Sequence, residues 1–441
     1  MKRIIAAIAG LVVVGGAAAP YVSGHLLENA FDQAEPATLP VDGLYWYPVS
    51  FERGYLGSQA RSELIFRQPG HDDVVIELEH DIQQRIGLDG RYAQVQTRLD
   101  LDNEPQTRQL IEQWLEGEPV PTINTRLYPS GNSLSALDLP PIERPLSSFS
   151  GASLAFSTQR NGFFGYEFTM PELHFKEHAA HATDGEAILE RLHLAGEGRV
   201  NEDGFIWDSR TQLTADRMRF SGGGNDALEI NQLSLQAQSD RDENLLDLGF
   251  DLRFGALQMP HDTLTNGHYH LKIARLDATA VAVMAERFNA LSQRAHPGTE
   301  ALAAQYQRVL LDEVPRLFSQ GPKVQLSPFM AESEFGPSRV DLTVQLAPNA
   351  MPSDLGPMAI LALIGSLSVE GSLQVPLAML EAQYQQTDPN GSVEQELAFL
   401  VAEGWVDIEE DMVKSRINYQ QGQLELNGQR ADALMNMLLG L

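Results

Sequence analysis

Apolar and polar side chains alternate through much of residues 41–276. Strand side chains point to opposite faces with period two, so this pattern predicts strands with one buried and one wet face. Val95, Leu99 and Leu101 alternate with Gln96, Arg98 and Asp100. Leu246, Leu248, Phe250, Leu252 and Phe254 alternate with Asp247, Gly249, Asp251 and Arg253. Tyr269, Leu271 and Ile273 alternate with His268, His270 and Lys272. In residues 228–237 the apolar set changes phase, from Leu228 and Ile230 to Leu233 and Leu235, which predicts a bulge near Gln232. Turn dipeptides punctuate the runs at Asp89-Gly90, Asn161-Gly162, Asp203-Gly204 and Asn266-Gly267, with a further turn at Gly222-Gly223-Gly224.

The period then changes. Asp277 is a candidate N-cap for a helix to about residue 295, with Val281, Met284, Ala285, Phe288 and Leu291 in one stripe. A second helix is predicted over residues 299–318, kinked or ended by Pro315, with His296-Pro297-Gly298 as the turn between the two. Strand alternation returns at Val340, Leu342, Val344 and Leu346, and at Leu367, Val369, Leu373 and Val375. Helices are predicted over residues 377–386 and 393–403. A hairpin follows, with Val413, Ile417 and Tyr419 before the Gln421-Gly422 turn and Leu424 and Leu426 after it, and residues 431–439 read as a short helix. The Pro-rich stretch at residues 137–145 reads as an internal joint or a long loop.

Residues 4–22 carry no charge and follow Lys2 and Arg3. As a helix they rise about 28 Å, close to the hydrocarbon thickness of a bilayer. The basic flank predicts that the rest of the chain is sent across the inner membrane into the periplasm. Ala17-Ala18-Ala19 leaves a cleaved secretory signal open, while Pro20 just after that point favours an uncleaved signal-anchor. The expected architecture is α+β and β-dominated. A transmembrane helix (residues 1–22) and a linker (23–40) precede a β-rich region (41–276). A helical hairpin (277–320) and a C-terminal β/α region (321–441) complete it. Large antiparallel sheets, curved or twisted, should carry the inserted hairpin.

Composition narrows the chemistry. Sixty acidic against 31 basic side chains give −29, which argues against a nucleic-acid partner. There are no cysteines, so disulfides, thiolate metal sites and Cys nucleophiles are excluded. His174, His178 and His181 invite a zinc reading, but no H-E-x-x-H pattern is present, and a strand running into a polar loop accounts for them. The acidic run Asp407, Glu409, Glu410 and Asp411 lacks the ligand spacing of a calcium loop. Gly222-Gly223-Gly224-Asn225 opens no clear helix, and no G-x-S-x-G elbow occurs. No catalytic residue, metal ligand or cofactor site is expected.

The sharpest local motif is Ser50-Phe51-Glu52-Arg53-Gly54-Tyr55-Leu56-Gly57-Ser58. Arg53 could meet a phosphate or a carboxylate, or Gly54 and Gly57 could simply permit a bulge or bend in an edge strand. With the N-terminal segment, Lys323-Val324-Gln325-Leu326-Ser327-Pro328, Val369-Glu370-Gly371-Ser372 and the closing hairpin, in that order, the chain resembles the YdgA-like family of bacterial proteins of unknown function. Phe51 stands where that family's signature more usually has Tyr, and Arg53, Gly54, Tyr55, Gly57 and Ser58 carry the rest of the motif. The resemblance implies an inner-membrane-tethered periplasmic protein and no catalytic residues. Two functional classes follow: binding of an apolar ligand, such as a lipid, or of an envelope protein, and a self-associating scaffold that pairs as a homodimer. An enzyme with an unrecognised site is the third.

Overall fold

The computed structural model describes residues 37–38, 44–53, 57–66, 74–83, 91, 93–100, 105–115, 117–144, 146–177, 185–201, 206–222, 227–260, 262–292, 299–350, 363–387, 393–431 and 434. The anchor expected at residues 4–22 and the linker at 23–40 fall outside these, apart from the short strand at 37–38. Among the described residues no helix is long and apolar enough to cross a membrane. Strands dominate, and the chain divides into two compact units. The first comprises residues 1–178, 187–211 and 288–304, the second residues 179–186, 212–287 and 305–441.

The first unit is an antiparallel sheet built mostly from short strands. They are β1 (Ala37–Thr38), β2 (Leu44–Arg53), β3 (Gly57–Phe66), β4 (Val74–Gln83), β5 (Ala93–Asp100), β6 (Ile123–Leu127), β7 (Ser133–Leu139), β8 (Ile142–Arg144), β9 (Ser147–Phe149), β10 (Ala152–Thr158) and β11 (Phe163–Glu177). Strands β1 to β7 pair in chain order, β7 then pairs with β10, β10 with β11, β11 with β9 and β9 with β8. Burial alternates along β6 and β7, as the period-two pattern requires.

A helix that strand alternation does not predict, α1 (Pro105–Leu115), interrupts this series. Pro105 occupies its first position, where the missing N–H costs nothing. Ile111 and Leu115, four residues apart, press onto Leu64, Ile76, Leu78, Ile123, Leu137 and Ile142 of the sheet. An 11-residue helix is marginal alone, so this packing is what stabilises it. Leu137 and Ile142 place the Pro-rich stretch inside this core.

Longer strands follow: β12 (Gly185–Val200), β13 (Ile206–Ser221), β14 (Ala227–Asp242), β15 (Leu245–Met259) and β16 (Asp262–Asp277). Sixteen residues of strand reach about 50 Å. In the second unit β14 pairs with β15 and β15 with β16. The ladder continues through β17 (Lys323–Ser333), β18 (Gly336–Leu346), β19 (Leu367–Pro376) and β21 (Met412–Gln420). Strands β20 (Asp407–Glu409), β22 (Gln423–Leu426) and β23 (Gln429–Arg430) complete it. Trp405, Tyr419, Leu424 and Ala431 form a buried core at the β21 end.

The predicted hairpin helices are α2 (Ala278–Ser292) and α3 (Thr299–Leu317). Asp277 caps α2, its Oδ1 accepting from the Ala280 amide at 2.9 Å. Pro315 lies inside α3, which ends two residues later. The C-terminal helices are α4 (Leu377–Thr387) and α5 (Val393–Ala402).

One predicted turn is corrected. Asn266-Gly267 lies inside the continuous strand β16, not between strands. Asn266 takes a left-handed conformation (φ 52°), which Asn tolerates, and the chain runs on. The expected irregularity at Gln232 is present as a left-handed residue (φ 57°). The β14–β15 register is the same on either side of it, however, so no residue is inserted between those strands. β15 changes phase opposite, at Gly255, and β16 changes phase at Asn266. Three neighbouring strands therefore switch together, along one crease.

Candidate functional site

The two units treat their apolar faces differently. Directly paired residues of an antiparallel ladder point to the same side. In the second unit the registers align three apolar rows across β14, β15, β16, β17, β18 and β19. The first row is Leu235, Leu252, Tyr269, Phe329, Val340 and Leu373. The second runs Ala237, Phe250, Leu271, Leu326, Leu342 and Gly371, and the third Ser239, Leu248, Ile273, Val324, Val344 and Val369. None of these residues is buried. Phe250 and Phe329 are each 40% exposed and Val324 37%. Strand and residue spacings make this face about 24 Å by 13 Å, on the order of 300 Å², the size at which an exposed apolar patch is usually functional. By contrast, Leu78 in the first unit is 0% exposed.

An aromatic ladder stiffens the first row. The Phe254 ring lies across Gly267, whose missing side chain makes room for it. Phe254 and Tyr269 ring centroids are 5.7 Å apart, and Tyr269 and Phe329 4.3 Å apart. The opposite face of the same strands is charged. Asp251 gathers both sequence-noted histidines. His268 Nε2 lies 2.9 Å and His270 Nδ1 3.3 Å from its Oδ2, while Arg253 Nε donates to its Oδ1 at 2.7 Å. Partial burial raises the Asp251 pKa, but the His268 and Arg253 hydrogen bonds outweigh it and leave the carboxyl below its ordinary range. Lys272 does the same for Asp247 at 2.8 Å.

A second polar group stands at the crease. Arg217 on β13 grips Glu229 on β14 with both arms of its fork, Nε to Oε1 at 3.1 Å and Nη2 to Oε2 at 3.0 Å. Asn231 Nδ2 donates to Oε1 at 3.2 Å. The Arg217 hydrogen bond holds the Glu229 carboxyl below its ordinary pKa. Arg219 comes only to 4.0 Å from Glu229, and its Nε is buried without a hydrogen-bond partner among the described residues.

The first unit holds a polar group within its core. Ser62 Oγ lies 2.8 Å from His80 Nε2, and Thr97 Oγ1 lies 2.9 Å from His80 Nδ1. All three are buried, Ser62 at 0% exposure. A neutral imidazole has one donor and one acceptor, and a hydroxyl serves as either, so the trio is satisfied in both tautomers. Burial lowers the His80 pKa to about 4. The serine hydroxyl reaches no solvent and no carboxylate orients the imidazole, so the arrangement reads as a hydrogen-bonded core. Thr125 and Ser135, 2.8 Å apart, and Ser133 and Thr158, 2.7 Å apart, extend the buried hydroxyls across the sheet.

The sequence motif leads into this core. Phe51 pairs with Ala60 and Arg53 with Ser58 across β2 and β3, while Gly54, Tyr55 and Leu56 lie outside the described residues. The β2–β3 register slips between Pro48 and Ser50, so among the described residues of this pair the irregularity sits at Val49. Gly57 instead allows close approach: a Cβ there would meet the Ile82 carbonyl at 3.0 Å. Ser58 is buried, and its Oγ has no hydrogen-bond partner among the described residues.

Among the described residues no group of three His, Asp or Glu is arranged to hold a metal ion; His178 and His181 fall outside them. The acidic run forms a tight hairpin, with Glu410 and Asp411 left-handed and Lys414 Nζ 2.9 Å from Glu409. Sequence reasoning missed both the His80 trio and the Arg217–Glu229 group, because each joins residues from different strands.

No curated protein and no solved structure matches the chain. A family model described as "Bacterial protein of unknown function (DUF945)" matches residues 1–432. The chain therefore belongs to that bacterial family of unknown function.

Proposed function

We propose that this is a membrane-tethered periplasmic protein that binds an apolar ligand on the open face of its second unit, without catalysis. The observation that carries the reading is the three apolar rows across six paired strands, none of them buried. A stable sheet ordinarily covers such a face, and the first unit does so with α1. The uncharged residues 4–22, the basic flank before them and the ordered YdgA-like motifs support the tether and its orientation.

Native mass spectrometry of detergent-extracted full-length protein tests the binding. Lipid should co-purify with the wild type, and Leu271→Asp, which puts a charge in the middle row, should abolish it while leaving the fold intact by circular dichroism. Wild-type protein free of lipid, and unable to take any up from micelles, would overturn the reading.

A further inference from the structure

We infer that the Tyr269 hydroxyl is the polar anchor of this binding face, and that the ligand is a glycerolipid whose acyl ester carbonyl accepts a hydrogen bond from it. The inference rests on the proposed binding function and names its ligand. Across the three apolar rows the side chains carry polar atoms only at Tyr269, on β16, and at Ser239, on β14. Ser239 has an interaction of its own. Tyr269 is half-buried, and its hydroxyl has no hydrogen-bond partner among the described residues. Burial alone raises its pKa, with no hydrogen bond acting on the phenol. The proton therefore stays on the oxygen through the physiological range, and the group remains a donor. Rings on both sides hold it in place, Phe254 at 5.7 Å and Phe329 at 4.3 Å between centroids. A donor fixed in this way loses little freedom when a ligand accepts from it.

The chemistry of the face selects the occupant. A pure hydrocarbon laid over the rows would strip water from the hydroxyl and give it nothing in exchange, so the ligand brings an acceptor. The rows carry no charged side chain, and the chain as a whole carries −29, so nothing in the face draws an anion such as a fatty-acid carboxylate. An uncharged ester carbonyl beside long hydrocarbon chains, as in a glycerolipid, meets both demands. A second copy of this chain does not. A face on the order of 300 Å² falls well short of the about 800 Å² that each partner of a standard protein interface buries.

The test loads full-length protein in neutral detergent micelles with dioleoylglycerol, or with its dioleyl ether analogue, which lacks only the carbonyl oxygens. Bound molecules are counted by native mass spectrometry. Wild type should prefer the ester by about fivefold, the size of one net hydrogen bond. Tyr269→Phe keeps the ring and its packing, so it should take up the ether as wild type does, which also shows that it is folded, and lose the preference for the ester. Equal uptake of ester and ether by wild type, an undiminished preference in Tyr269→Phe, or palmitate binding as well as dioleoylglycerol would each overturn the anchor assignment while sparing the binding face. The wild-type comparison decides the question even where the variant misfolds. Uptake of no lipid at all, or a dimer whose second copy covers the rows, would instead remove the reading beneath it.

Discussion

His80 is the residue whose setting departs furthest from its sequence appearance. It lies in a strand whose other inward positions, Ile76, Leu78 and Ile82, are aliphatic. Its folded pKa of about 4 stands below the ordinary 6.5 because burial penalises the charged ring. The folded state therefore keeps it neutral while the unfolded chain protonates below pH 6.5, so stability is lost as pH falls from about 6.5 to 4. Linkage sets the loss at about 2 kcal/mol by pH 5 and about 3 kcal/mol at its limit. Urea unfolding at pH 7 and pH 5 should show this difference, and His80→Asn should flatten it; an equal slope in both proteins would contradict the buried neutral ring. Gly267 offers a second residue-scale prediction. A Cβ there would lie within the Phe254 ring, which is itself buried and packed at a tilt against Tyr269, so it does not swing aside freely. Gly267→Ala should cost roughly 1–3 kcal/mol, read from the shift in urea midpoint. The sequence presents Asn266-Gly267 as a turn because the dipeptide is locally suited to one. The glycine is instead required by an aromatic ring from the neighbouring strand, which no local pattern announces.

At the scale of elements, strands and capped helices were legible where local chemistry decides them. Period-two alternation marks β15, β16, β18 and β19, and Asp277 marks the start of α2. Asp277 is doubly used, capping Ala280 and receiving Asn244 Nδ2 on its other oxygen at 2.9 Å. Asp277→Ala should lower stability by about 1–2 kcal/mol, with faster hydrogen exchange confined first to the amides of the opening turn of α2. Uniform acceleration through the second unit would argue against a capping role. Helix α1 was not legible. Its apolar positions recur at helical spacing, but 11 residues are marginal alone, and the apolar sheet surface beneath Ile111 and Leu115 stabilises the helix. Leu115→Ala should therefore cost roughly 2–5 kcal/mol, whereas Phe329→Ala on the open face should cost under about 1 kcal/mol, the two compared by chemical denaturation.

At the scale of the whole molecule, the general build is legible in the sequence, and the proposed placement rests on the N-terminal segment. An uncharged stretch behind two basic residues predicts a tether, and its removal (residues 1–22 deleted, an exported leader supplied) should move the protein from the membrane pellet to the soluble periplasmic fraction. A mature wild-type protein beginning at Pro20 or beyond would show a cleaved signal instead. The sequence also determined by itself that strands dominate, that two helices at residues 278–292 and 299–317 interrupt them and that cysteine is absent, since periodicity and composition are properties of neighbouring residues. Tertiary structure alone decided which amphipathic face is covered and which stays open. It alone brought Ser62, His80 and Thr97 together, although they are 18 and 17 residues apart in turn, and set Arg217 against Glu229. The reason is physical. Alternation records which side of a strand is apolar, but register and the packing of other elements determine what meets that side, and those depend on contacts between residues far apart in the chain.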